Sequence, residues 1–288
     1  MFPLEKLRKS ASLNLHGVPG DDIGQHIRDG ILFHKKVGFD AADFPMRYLP
    51  FMGDRWQQYM EATVEDSKTY DLPIPVCHLP FKTLRDPSAD ELAEFQKSVF
   101  IGMDAAMILG VDHAVLHPNT IVLPMEEYDE AKQFEKTVAH LSPFAEYAAK
   151  IGLSIAVENM PFVSQNGAVH RFCGNAQELC RVADALGIGV CWDFGHGHIS
   201  GLKQSDALKH IGQRLKVVHI HDNFGSDDQH IPPFIGTNDW QDSMQGLSAI
   251  GFGGLLNYEV ASAKIPQEAK ESHARYLISV AETLLGMM

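Results

Sequence analysis

The 288-residue chain is 45% hydrophobic and 21% charged, ample for one large core and of the length usual for a single α/β barrel. Its formal net charge of -13 disfavours wholesale binding to a phosphate backbone, and no apolar run reaches the roughly 18 residues of a membrane span. Cys77, Cys173, Cys180 and Cys191 form no CxxC pair or disulfide framework, and Met1 to Lys6 carry no signal-peptide core, so the expectation is a soluble cytoplasmic protein.

Short apolar runs alternate with longer amphipathic segments from start to finish. Residues 11–16 read as a first strand, 23–36 as a helix ended by Gly38, and 39–44 as a second strand. A polar helix over 55–69 follows, then a third strand over 74–78 that Pro73 and Pro75 weaken. The long helix over 89–109 ends at Gly110, and residues 114–117 form a fourth strand. A helix over 128–150 leads past Gly152 to a fifth strand over 153–157. Then come a helix over 176–186, a sixth strand over 189–192, a helix over 205–215 and a seventh strand over 217–220. A helix over 239–250, an eighth strand over 255–259 and a final helix over 267–285 complete the chain.

Strands separated by helices imply a parallel sheet, and eight such units imply a closed (β/α)8 TIM barrel spanning residues 1–288 as one domain. An open doubly wound sheet is the alternative. His16-Gly17-Val18-Pro19-Gly20 after the first strand is not the phosphate-binding GxGxxG that such a sheet usually carries there.

In a barrel the C-terminal strand ends meet in one mouth. The third strand ends at His78, the fourth at His117, and the fifth at Glu158-Asn159. The sixth ends at Asp193, with His196 and His198 just beyond. The seventh, Val217-Val218-His219-Ile220-His221-Asp222-Asn223, ends in imidazoles and runs into a loop with Asp228 and His230; the eighth ends at Glu259. A lone histidine at a strand end is more often a hydrogen-bonded structural residue than a ligand. A glutamate closing an apolar strand is harder to dismiss, because a buried carboxylate is costly unless paired or metal-bound. Six successive strands ending in imidazole or carboxylate therefore point to a divalent metal site of the zinc, manganese or iron(II) kind. His16 is a candidate substrate contact, and Phe162 and Trp240 could wall the pocket or simply pack.

With these residues the sequence resembles the xylose isomerase-like TIM-barrel superfamily, which holds sugar isomerases and epimerases, inosose dehydratases and endonuclease IV. The markers are Val157-Glu158-Asn159, Asp193-Phe194-Gly195-His196, His219-Ile220-His221-Asp222-Asn223, Asp228-x-His230-Ile231-Pro232-Pro233 with Asp239-Trp240, and Glu259. The resemblance implies one divalent metal, often manganese, held by Glu158, Asp193, His219 and Glu259. It also implies an isomerase or epimerase of a small sugar, sugar phosphate or cyclitol that works through a metal-stabilised enediolate, with Glu158 and Glu259 as acid and base.

A trinuclear zinc, AP endonuclease-like phosphodiesterase is the alternative that the same resemblance implies. Its three sites would be His78, His117 and Glu158; Glu158, Asp193, His219 and Glu259; and His196, Asp228 and His230, so the cofactor is one to three ions of manganese or zinc. A dehydratase or lyase on the same scaffold is a further option. Met46-Arg47-Tyr48-Leu49-Pro50 and Phe81-Lys82-Thr83-Leu84-Arg85 are thin in the basic and aromatic residues that would hold a duplex, so a small-molecule carbohydrate is the expected partner and nucleic acid is disfavoured. No arginine follows His219 where ketose 3-epimerases place a substrate-gripping one; His221 or His198 is the stand-in. A homo-oligomer is compatible with all of this.

Overall fold

The computed structural model describes residues 9–163 and 165–288, so the reading of Met1 to Lys6 lies outside the described residues. In chain order the elements are β1 (Lys9–Ser12), α1 (Ile23–Val37), β2 (Ala41–Pro45), α2 (Leu49–Met52), α3 (Trp56–Thr69), β3 (Val76–His78), α4 (Ala89–Leu109), β4 (His113–Leu116), β5 (Val122–Pro124), α5 (Glu130–Ile151) and β6 (Ile155–Glu158). The second half has β7 (Val169–Arg171), α6 (Ala176–Leu186), β8 (Gly189–Asp193), α7 (Phe194–Ile199), α8 (Gln204–Ile211), β9 (Leu215–Ile220), α9 (Trp240–Ala249), β10 (Leu256–Tyr258) and α10 (Lys270–Met287). Eight strands close a parallel barrel in the order β1-β10-β9-β8-β6-β4-β3-β2. The expected (β/α)8 barrel is the observed one.

Local chemistry sets the helix limits. At the start of α4, Ser88 and Glu91 form a reciprocal capping box, and Gly110 ends the helix in the left-handed region. Asp129 and Asn175 cap α5 and α6 through their side chains. The prolines before β3 keep only their carbonyls in play. Pro73 O accepts from Ala42 N (2.9 Å), and Pro75 O accepts from Asp112 N (2.7 Å). The strand therefore starts at Val76, two residues later than the sequence suggests.

Other boundaries moved for equally local reasons. The expected first strand over 11–16 is shorter: after Ser12 the chain turns into a 3-10 helix, Leu13–His16, with His16 Nδ1 2.6 Å from Leu13 O. The helix expected over 205–215 stops at Ile211, and Leu215 already belongs to β9. Three elements have no counterpart in the sequence reading: α2, α7, and an antiparallel ribbon of β5 and β7 linking the loops after β4 and β6.

The core has two parts. The larger lies between barrel and helices. The smaller plugs the barrel interior with Val76, Val115, Ala156, Cys191 and Val217, with Leu255 packed against it. No helix among the described residues is long and apolar enough to cross a membrane.

Candidate metal centre

Side chains on a strand alternate faces with a period of two. Two residues above the inner apolar plug, the same strands carry His78, Glu158, Asp193 and His219, and β4 is followed by His117. The floor of the mouth is built by this register. Hydrophobic residues fill the level below, and potential ligands fill the level above.

Glu158 is the hub, with its side chain only 1% exposed. Its Oε2 lies 3.3 Å from both His78 Nε2 and His117 Nε2, and those two nitrogens are 3.1 Å apart. Its Oε1 lies 3.1 Å from His219 Nδ1, which is 3.0 Å from Glu259 Oε2 and 3.9 Å from Asp193 Oδ2. On the far side, Asp228 Oδ2 is 3.2 Å from both His196 Nε2 and His230 Nε2, and His221 Nε2 is 3.7 Å from Asp228 Oδ1. Among the described residues three groups of converging ligand atoms span the mouth: His78, His117 and Glu158; Glu158, Asp193, His219 and Glu259; and His196, His221, Asp228 and His230; a fourth, Glu158, Cys191 and His219, shares two members with the second.

Neighbouring groups hold the ligands in place. Asp193 accepts from His196 N (2.6 Å), which caps α7 and puts His196 over the mouth. Asn159 clamps β6 to β8, donating Nδ2 to Asp193 O (3.0 Å) and accepting from Asp193 N (2.6 Å). His196 Nδ1 is fixed 2.8 Å from Asn159 O, and His230 Nδ1 2.6 Å from Glu259 O. His230 has a left-handed backbone (φ 48°), a conformation an L-residue keeps only when its surroundings enforce it.

The electrostatics couple each carboxylate to its neighbouring imidazoles. Burial pushes the Glu158 carboxyl up, but the His219 charge and the bonds from His117, His219 and His78 outweigh it and hold it well below the usual carboxylate range. Burial opposes the same depression at Glu259, where His219 again wins, and at Asp228, where His196 and His230 win. Burial lowers each imidazole in turn, yet Asp193 and Asp228 push His196 up to about 9, and Asp228 and Glu259 push His230 up to about 10. His219 is raised as well, against burial, chiefly by Cys191, Glu158 and Glu259. His78 and His117 both face one Glu158 oxygen: at His117 burial wins and lowers the imidazole, while at His78 Glu158 and Glu259 outweigh burial and raise it. Three carboxylates around one buried imidazole in the second group are mutually repulsive without positive charge, so the donor set fits a divalent cation.

The remaining sequence candidates fall elsewhere. His221, expected to face substrate, is fully buried 3.0 Å from Asp193 Oδ2 and completes the third group. The signal was present in the sequence: His219 and His221, two apart, share a strand face. His198 turns to Thr237 Oγ1 (2.9 Å) and braces the loop after β9 instead of joining the groups. His16 packs tilted against His26 of α1 (4.2 Å between ring centroids). Trp240 is buried and donates its indole N–H to Asp222 Oδ2 (2.9 Å), and Phe162 packs on His170 and Gly174. Asp222, which sequence reasoning passed over, organises that loop by also accepting from Asn223, Phe234 and Asn238 backbone N–H groups.

Known proteins share this architecture. An uncharacterized protein of Methanocaldococcus jannaschii is 27% identical over 248 residues, covering 85% of this chain and 82% of that protein. A D-tagatose 3-epimerase-like protein superposes with a TM-score of 0.73 at 18% identity, over 96% of this chain and 98% of the other. An L-ribulose 3-epimerase superposes with a TM-score of 0.74 at 17% identity, over 96% and 95%. At such identities the two structures share a fold with this chain and nothing more is carried over. A family model described as the xylose isomerase-like TIM barrel matches residues 32–279, and the chain belongs to that family.

Proposed function

We propose that the protein is a divalent-metal-dependent isomerase or epimerase of a small carbohydrate, in the class of a sugar, sugar phosphate or cyclitol. One observation carries the reading. Glu158 at the end of β6 and Glu259 just after β10 both reach Nδ1 of His219, with Asp193 beside them, at the floor of a mouth into which Glu259 stays 32% exposed. Similar folds that bear the names of ketose 3-epimerases support it. When bound by these four residues, a divalent cation supplies Lewis acidity toward adjacent oxygens of the sugar. Glu259, the more open carboxylate, takes a proton from the carbon beside the carbonyl, and Glu158 serves as its acid counterpart. His196, Asp228 and His230 of the third group bind a further ion or the sugar's oxygens.

A second reading has its own observation. The His78 group and the His196 group flank the second one, and Glu158 belongs to two of the three. This is the arrangement of a three-ion phosphodiesterase. The acidic chain, net -13, argues against a nucleic-acid substrate for it. The test is incubation of metal-loaded protein with ketoses and inososes in deuterated water, with metal analysis alongside. Deuterium entering one carbon of one sugar supports the isomerase reading. No exchange with any sugar, together with three zinc ions per chain and cleavage of a phosphodiester, replaces it with the second.

A further inference from the structure

Beneath the second group lies a set of polar atoms that the metal reading leaves unused. His219 presents Nδ1 to the carboxylates, while its Nε2 is buried with no hydrogen-bond partner among the described residues. Asn257 on β10 is in register with His219 on one side and with Ser10 on the other. Its Nδ2 reaches past β1 and donates to Asp43 Oδ2 on β2 (2.8 Å). Ser10 Oγ, Asp43 Oδ1 and Asn257 Oδ1 are likewise buried and unpartnered. Four orphaned polar atoms therefore lie on the successive strands β9, β10, β1 and β2, although buried polar groups as a rule find partners. A site with that many donors and acceptors is of the polar kind that holds an ordered water.

An imidazole that gives its Nδ1 lone pair to a cation carries its proton on Nε2, and that N–H must be received somewhere. The free oxygens on offer there are those of Asp43, Asn257 and Ser10, of which only Asp43 carries a charge, and the Cys191 thiol is the rival neighbour of His219. We propose that Asp43, a residue outside all three groups, is the positioning residue of His219, receiving its Nε2–H together with Asn257 through one buried water and so fixing the tautomer and aim of the ring. This rests on the metal reading of the second group and adds to it a residue on β2.

Zinc titration of chelator-stripped protein against a competing chromogenic chelator tests it. The ion to follow is the one weakened in Glu259→Gln, since Glu259 belongs to the second group alone. Asp43→Asn is expected to weaken that ion about 10- to 100-fold, the usual range for losing a ligand's outer partner. The melting temperature of the metal-free protein should hold or rise, because the change removes a buried carboxylate with an unpaired oxygen. A merely structural Asp43 would lower that temperature and leave zinc affinity alone, which overturns the proposal. Weakening by Cys191→Ala but not by Asp43→Asn would overturn it too, because the thiol would then be the partner of His219. Should Asp43→Asn fail to fold, nitrogen-15 histidine spectra of the zinc-loaded parent decide: a slowly exchanging His219 Nε2–H supports the proposal, and a rapidly exchanging one overturns it. A parent that binds no zinc overturns the metal reading as well, whereas a parent and an Asp43→Asn variant that bind it equally overturn only the role of Asp43.

Discussion

Glu158 and Glu259 both touch His219, yet their surroundings set them different tasks. Both Glu158 oxygens are engaged, by His78 and His117 on one and His219 on the other, so the residue joins two ligand groups. Glu158→Gln is expected to strip ions from both groups and abolish turnover, whereas Glu259→Gln should weaken one ion only. Metal analysis after gel filtration checks this, and a Glu158→Gln protein with the parent's metal content and activity sinks the assignment. The third group makes a pH prediction. His196 and His230 titrate at about 9 and about 10 in the fold, above the ordinary value of 6.5. A raised imidazole contributes stability that is complete below about 6.5 and lost as pH rises through the folded value. Chelator-stripped protein should thus lose thermal stability between pH 7 and 10 (roughly the span of those shifts). Metal must displace the same protons, so metal binding should release protons and tighten over that range. Titration calorimetry in two buffers of different ionisation enthalpy measures the release, and its absence would remove the third group from the metal site.

At the scale of elements, α7 shows how tightly the mouth is built. Asp193 ends β8 and caps α7 at once, so the strand's last residue also aims His196. A Cβ on Gly195 would run into the His221 ring. Gly195→Ala is therefore expected to displace His221, cost about 1–3 kcal/mol of stability as overpacking does, and weaken the third group while sparing the first. Comparing metal content and thermal midpoint with the parent tests both halves. Much of this was legible in the sequence, because the runs ending at Glu158, Asp193 and His219 are continuous apolar strands closed by a polar residue, and a barrel turns strand ends into neighbours. The ribbon of β5 and β7 was not, since three-residue strands carry no periodicity to read. Nor was the placement of His198 and Trp240. Both lie beside strand-end motifs, but their partners, Thr237 and Asp222, come from a loop whose path depends on Gly236 passing close against the Asp222 side chain.

For the whole molecule, the balance of charge matters more than any single pair. A chain of net -13 gathers Glu158, Asp193, Asp228 and Glu259 into one cleft, and the imidazoles among them are raised by that charge. Ligand binding to the native state stabilises it by mass action, about 2.7 kcal/mol per site at a free concentration of 100 times Kd. Each kcal/mol moves the thermal midpoint of a chain somewhat shorter than this one by about 2–4 °C. Adding manganese or zinc to stripped protein should therefore raise the midpoint by several degrees, and further with each tenfold increase in metal. Magnesium, which prefers an all-oxygen octahedron, should do so less at the imidazole-rich first and third groups. The rise should be larger at pH 8 than at pH 6, where protons compete for the same nitrogens. Differential scanning fluorimetry across metals and pH reads all of this. A midpoint indifferent to manganese, zinc and chelator at every pH would mean that the carboxylates of the mouth are balanced by histidine protons alone, and the proposed metal chemistry would fall with it.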